Sequence, residues 1–336
     1  MTSRARIACH CGKIQESGSL LLSESFPIDC EICHCDTCRY VTGSLGITVC
    51  ELKRKPSEET FANLTAYHTS EKITRYFCST CGCKCFIDQH ARKKWFVCSG
   101  LIEPEVKVPD VVRVLRHWWV LDTRDGGTAT RLLKIGGRDV SAYAREHWDE
   151  DPMPSEAILN FRDKSGLVPK PDAQDVLEGR CHCGAVRFRL ARANYEGHSK
   201  EWFVPVEDDT KYFARLCTCR SCRLTLGFSL QPWVYVPPQN IFTVKNEPVT
   251  FHTTPSNIDG LQHYQSSETV RRSFCKICGT SVFYQSFERA NVIDVSAGTL
   301  HASSGAMAQE WLEWDLKTIS RKGEAMDNEL VGAWLA

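Results

Sequence analysis

The chain has 336 residues, a length that favours two domains with separate cores over one. Its composition, 42% hydrophobic and 24% charged, excludes a disordered or low-complexity polymer, and the balance of 41 basic against 41 acidic residues leaves no bulk charge to draw a polyanion or an acidic membrane. Residues Met1 to His10 lack the apolar core of a secretory signal, and no run approaches the roughly 18 uncharged apolar residues of a membrane span. The expected compartment is therefore intracellular, the cytoplasm first and the nucleus as the alternative. The outlier is cysteine, with 19 residues in a setting where disulfides do not persist. Thiols there are better suited to holding metal.

In chain order the first features are Cys9-His-Cys11-Gly, Cys33-His-Cys35-Asp-Thr-Cys38-Arg and Cys78-Ser-Thr-Cys81-Gly. A β-branched strand signal follows at Val111–Leu115, then a helical signal at Val140–Trp148 and a charged, Pro-rich stretch over about 146–175. The same thiol features then return in the same order as Cys181-His-Cys183-Gly, Cys217-Thr-Cys219-Arg-Ser-Cys222-Arg and Cys275-Lys-Ile-Cys278-Gly. Between them lie strand signals at Ala185–Leu190, Gln231–Val236, Ile241–Val244 and Asn291–Val295, and the final dozen residues read as a helix.

Fourteen cysteines in register make the chain a tandem repeat. Thr69–Cys78 aligns without a gap on Ser266–Cys275, glycine recurs five residues after each triad at Gly43 and Gly227, and Ser99-Gly100-Leu101 matches Ala297-Gly298-Thr299. The offset between copies grows from 172 at Cys9/Cys181 to 184 at Cys33/Cys217 and 197 at Cys78/Cys275, so the second copy carries longer loops. Sparse helical periodicity predicts a mainly β protein of small sheets pinned by metal.

A Cys-x2-Cys followed by Gly brings two thiolates to one ion at about 2.3 Å, with glycine taking the strained turn. Tetrahedral closure needs two more, for which Cys9 and Cys11 complement Cys78 and Cys81, and Cys181 and Cys183 complement Cys275 and Cys278. Cys33, Cys35 and Cys38, and likewise Cys217, Cys219 and Cys222, offer three thiolates in six residues, one short of saturation. An all-sulfur shell favours zinc, two ions per half and four in all, over iron–sulfur clusters. In the first copy Cys30, Cys50 or His34 could close the triad, while the second copy has Thr218 and Ala214 at the places of His34 and Cys30. His10 and His182 read as solvated side chains pointing outward. The other cysteines, Cys30, Cys50, Cys83, Cys85 and Cys98, read as small buried hydrophobes.

These motifs resemble the glutathione-dependent formaldehyde-activating enzyme family, which includes the CENP-V-like proteins. The resemblance covers roughly residues 5–125 and 178–316 and implies an Mss4-like, β-tent fold in each half. It assigns residues 1–145 to a first domain, 146–177 to a linker, 178–318 to a second domain and 319–336 to a tail. It also implies structural zinc on the four-thiol sets and a second zinc on each triad, where a thiol such as glutathione acts. The first copy keeps the family's Cys-His-Cys and Thr-Gly as His34 and Thr42-Gly43, whereas the second has Thr218 and Leu226-Gly227.

An open three-thiolate zinc presents an exogenous thiolate to an electrophile, which predicts carbon–sulfur lyase chemistry on thiol adducts of aldehydes with the six triad cysteines as the catalytic set. Three thiolates make zinc a weak Lewis acid, so hydrolysis is the lesser expectation. Arg75 and Arg272 could clamp a substrate carboxylate, against the plainer reading as solvated or structural arginines. The rival is a non-catalytic, zinc-stabilised interaction or chromatin-associated module. Four zincs on fourteen thiolates make a neutral chain acidic, however, and only Arg92-Lys-Lys94 and Arg271-Arg272 form basic clusters, so nucleic acid is a poor candidate partner.

Overall fold

The computed structural model describes residues 5–23, 25–146, 151–165, 172, 175–198, 200–251 and 256–336. Two large sheets dominate, and their strand orders coincide. In the first half the order is Leu64–Ser70, Ile73–Cys78, Lys84–Gln89, Lys94–Cys98, Ile47–Leu52, Ile28–Cys33, Val112–Trp118 and the short edge Ser141–Ala142. In the second it is Leu261–Ser267, Val270–Cys275, Ser281–Ser286, Ile293–Ser296, Gln231–Val236, Tyr212–Cys217 and Leu312–Trp314. Both are antiparallel until the end, where Ile28–Cys33 meets Val112–Trp118, and Tyr212–Cys217 meets Leu312–Trp314, in parallel. The mainly β tandem expected from sequence is what the chain forms.

The local sequence explains these strands. Ile28, Cys30 and Ile32 point to the core while Asp29 faces water, the two-residue period of a half-buried strand. Gln231–Val236 is buried on both faces, as suits a central strand flanked by Ile293–Ser296 and Tyr212–Cys217.

The helices are few: α1 (Asp36–Thr42), α2 (Glu58–Phe61), α3 (Ser155–Ser165), α4 (Arg220–Leu226) and α5 (Asn328–Leu335). The helix at the C-terminus lies where its periodicity placed it, with Trp334 fully buried. The helical signal at Val140–Trp148 is overturned over 140–146. There Ser141–Ala142 pairs with Arg116 and His117, and Tyr143 N–H donates to His117 O at 2.9 Å, so an available sheet edge outcompetes an isolated helix. Residues 147 and 148 lie outside the described residues. The helix in this region is α3, within the Pro-rich stretch, and its Ile158 packs with Val120, Ala129 and Ala142.

The halves dock through the duplicated glycines. Gly298 N–H donates to Gly43 O at 3.1 Å, and Gly100 N–H to Gly227 O at 3.0 Å, the same contact made twice with roles exchanged. Buried apolar residues of both halves form one continuous cluster, and Phe77 meets Phe274 edge to face at 6.3 Å between centroids. Glu103 of the first half ties the interface by charge, accepting from Arg220 at 2.6 Å, Arg223 at 3.1 Å and its own half's Arg6 at 2.9 Å. A Cβ on Gly298 would sit 2.0 Å from Ser44 O. Gly298→Ala should therefore cost about 1–3 kcal/mol by overpacking, read as a lower urea midpoint. An unchanged midpoint would contradict the tight docking.

Candidate metal centres and the pocket at the second triad

Each triad is built by one strand and one short helix. Cys33 and Cys217 end their strands. Cys35 and Cys219 are the N-caps of α1 and α4, and Cys38 and Cys222 lie in the first turn. The cap sulfur accepts from the backbone amide of Cys38 at 3.3 Å in one half and of Cys222 at 3.4 Å in the other. Gly43 and Gly227 end the helices with φ of 87° and 78°, a conformation that favours glycine.

The fourteen motif cysteines gather into four clusters: Cys9, Cys11, Cys78 and Cys81; Cys181, Cys183, Cys275 and Cys278; Cys33, Cys35 and Cys38; and Cys217, Cys219 and Cys222. Within each, every sulfur lies within 4.8 Å of the others. In the first four-thiol set Cys9 and Cys11 are 3.5 Å apart, Cys9 and Cys78 3.8 Å, and Cys11 and Cys78 3.6 Å. A tetrahedron with 2.3 Å metal–sulfur arms has edges of about 3.8 Å, so these thiols fit one zinc with little adjustment. The second set matches, with 3.5 Å between Cys181 and Cys183 and 3.6 Å between Cys183 and Cys275.

Among the described residues, no fourth His, Cys, Asp or Glu atom joins either triad. His34 is turned into the core, its Nδ1 3.2 Å from Leu45 O and its Nε2 2.9 Å from His117 Nδ1. Cys30 and Cys50 are buried in the sheet and stand outside the triad cluster. Cys83, Cys85 and Cys98 are likewise buried.

His10 and His182 correct the sequence reading. Both are half-buried at the interface between halves, not pointed into solvent. His10 Nε2 lies 3.0 Å from Ser221 Oγ and Nδ1 3.1 Å from Tyr264 OH, both in the other half. His182 Nδ1 lies 2.7 Å from Tyr67 OH, and His182 N–H donates to Tyr40 O at 3.1 Å. Docking of the halves, which no local spacing reveals, places each knuckle against the neighbouring triad helix.

Arg75 and Arg272 are drawn to the triads. Arg75 Nη2 donates to Cys38 Sγ at 3.1 Å and Arg272 Nη2 to Cys222 Sγ at 3.5 Å. Cys38 and Cys222 are held well below the ordinary thiol range, chiefly by hydrogen bonds from Cys33 and Cys217 and from Cys35 and Cys219, with the arginines pulling the same way. Each triad thus carries one thiol held toward its thiolate form.

Beyond the sulfurs the halves diverge. The second triad forms the floor of a cavity of about 460 Å³ walled by Trp202, Trp233, Tyr235 and Tyr284, with Arg272, Arg289 and Asp294 among the polar groups. Trp233 Nε1 donates to Cys222 Sγ at 3.4 Å. Strand register places Val49 of the first half at the position of Trp233, Glu51 at Tyr235, Ile87 at Tyr284 and Phe96 at Asp294. Sequence reasoning missed this wall because the residues carry no spacing motif. The signal was the mismatch between two otherwise matched copies.

The profile of the glutathione-dependent formaldehyde-activating enzyme family matches residues 4–120 and 203–313, more than half of the chain. The chain belongs to this family. Both matched stretches carry a triad, Cys33, Cys35 and Cys38 in the first and Cys217, Cys219 and Cys222 in the second. Among solved structures, a Rhodobacter sphaeroides protein of known crystal structure is 21% identical, with 41% of this chain and 99% of that one covered and a TM-score of 0.27. No curated protein matches the chain. No helix among the described residues is long and apolar enough to cross a membrane.

Proposed function

We propose that the chain is a zinc-dependent carbon–sulfur lyase acting on adducts of a glutathione-like thiol with aldehydes or related electrophiles, and that turnover occurs at the second triad. The observation that carries this reading is a three-thiol cluster, with no fourth protein ligand among the described residues, opening into a cavity of about 460 Å³. Cys217, Cys219 and Cys222 would hold the zinc, and such an ion stabilises an incoming thiol as thiolate near neutral pH. The two four-thiol sets would hold structural zinc.

The chain's own groups supply the remainder. Arg272 and the Trp233 N–H stabilise negative charge on Cys222. Trp202, Trp233, Tyr235 and Tyr284 put apolar surface beside the reacting carbon, and a lower local dielectric strengthens electrostatic contacts there. Arg321 lines the same cavity and suits a carboxylate of a glutathione-like thiol. Formation of the adduct joins sulfur to the aldehyde carbon and leaves a hydroxyl on it; cleavage runs the same steps backward.

Exchange NMR on glutathione mixed with formaldehyde tests this reading. The metallated protein should speed interconversion of thiol and hydroxymethyl adduct above the solution rate, and stripping the metal should return it to background. No acceleration with this adduct or with those of larger aldehydes would contradict the lyase reading and leave a zinc-stabilised interaction module.

A further inference from the structure

The cavity over the second triad has a carboxyl group, Asp294, at the strand position that holds Phe96 in the first half. Asp294 lies on Ile293–Ser296, paired across the sheet with Tyr235 on one side and Tyr284 on the other, and all three line the cavity with the triad thiols. We propose that Asp294 is the general acid and base of the second site, donating a proton to the aldehyde oxygen as the carbon–sulfur bond forms and reclaiming it as that bond breaks. This assignment rests on the lyase reading and names a residue for it.

Several observations converge on this carboxyl. Among the described residues the other carboxylate lining the cavity is Glu324, which accepts from the Arg220 backbone N–H at 3.0 Å. Asp294 is 5% exposed, so little water competes for it. Among the described residues its hydrogen-bond partner is Arg289, whose Nη2 alone spans both carboxyl oxygens at 3.1 and 3.2 Å. That is looser than the 2.6 Å of Arg220 to Glu103 or the 2.7 Å of Arg215 to Asp315, and longer than a well-formed charge-assisted bond. A carboxyl held this loosely can give up or take a proton without breaking a tight ion pair.

The surrounding charges favour the same role. Burial pushes the Asp294 carboxyl up to about 7; Arg289 and Arg272 pull it down, and the Cys222 thiolate pushes it up. Tyr284 and Tyr235, the other titratable groups facing it, are themselves raised above the ordinary phenol value by burial, so both stay neutral around pH 7. A carboxyl near 7 divides evenly between donor and acceptor forms at neutral pH, which a reversible addition needs.

The proton balance closes through solvent: the incoming thiol releases its proton as it becomes thiolate, and an equivalent proton reloads the Asp294 carboxylate after each forming step, with the reverse exchange in cleavage. In the forming direction thiolate sulfur bonds to the aldehyde carbon, the C=O π pair moves to oxygen, and the Asp294 carboxyl gives that oxygen its proton. In the reverse direction the carboxylate takes the hydroxyl proton, the C=O bond re-forms, and the carbon–sulfur pair leaves with sulfur. At the matching position the first half has Phe96, facing Ile87 and Glu51.

The test compares the full metallated chain with its Asp294→Asn variant on glutathione and formaldehyde across pH. Turnover should fall about 10²- to 10⁴-fold with KM nearly unchanged. In the wild type, adduct formation should decline as pH rises through about 7 and cleavage should decline as pH falls through it, and the variant should lose both limbs. Asparagine still accepts from Arg289, so a merely structural Asp294 would leave rate and limbs in place, overturning the assignment while the lyase reading stands. Absence of turnover in the wild type overturns both. Should Asp294→Asn lose its metal or fold, Asp294→Glu decides: limbs that move with the new carboxyl support the assignment, and limbs that stay fixed overturn it.

Discussion

Cys278→Ser should leave the chain without a native fold. Cys278 is 2% exposed and completes the second four-thiol cluster, where Cys181, Cys183 and Cys275 are already within tetrahedral reach of one another. Structural zinc contributes about 10–16 kcal/mol in small zinc domains, comparable with or larger than the roughly 5–15 kcal/mol that stabilises a whole domain. Serine cannot replace the lost thiolate, and the knuckle turn that carries it connects Val270–Cys275 to Ser281–Ser286, two neighbouring strands of the large sheet. One continuous core spans both halves, so the damage should spread beyond the knuckle. Far-UV circular dichroism and soluble yield should both collapse. A folded variant with full metal content would show that this cluster holds nothing the fold depends on.

Cys219→Ser should have the opposite profile, and comparison with Cys35→Ser separates the halves. Cys219 is the N-cap of α4, and serine caps as well as any residue, so the helix should persist and stability should change by about 1 kcal/mol or less. Turnover should fall at least about a hundredfold, because the proposed thiol position is lost with its metal. Cys35→Ser makes the same change at α1, where Val49, Glu51, Ile87 and Phe96 stand at the positions of Trp233, Tyr235, Tyr284 and Asp294. It should leave turnover within about twofold of wild type. Equal losses from the two substitutions would mean that both triads turn over, and a larger loss from Cys35→Ser would move the chemistry to the first half.

Much of this was legible in the sequence because metal-binding thiols act over short spacings. Cys33, Cys35 and Cys38 meet because a strand end, an N-cap and a first helical turn fall within six residues, and duplication shows that the spacing is not accidental. Fold class followed from sparse helical periodicity and repeated β-branched runs. What the sequence concealed depends on long-range register. His10 reaches Ser221 and Tyr264 only once Gly43 has docked on Gly298 and Gly100 on Gly227, and no local pattern encodes that contact. Asp294 is a single carboxylate in the four-residue strand Ile293–Ser296, and its meaning appears only when pairing places it between Tyr235 and Tyr284. The segment over 140–146 carries a helical pattern, yet the strand Val112–Trp118 offers it hydrogen bonds that a short helix cannot match.

Cadmium-113 NMR of the metal-exchanged chain, titrated with glutathione, tests the central claim most directly, because the shift of each ion reports its sulfur count. The account predicts four resonances, two in the four-sulfur range that ignore glutathione and two in the three-sulfur range. Of the latter, the one lost in Cys219→Ser should move toward four sulfurs as the thiol binds. Four resonances already in the four-sulfur range and indifferent to glutathione, or a chain that binds no metal and pairs its thiols as disulfides, would contradict it.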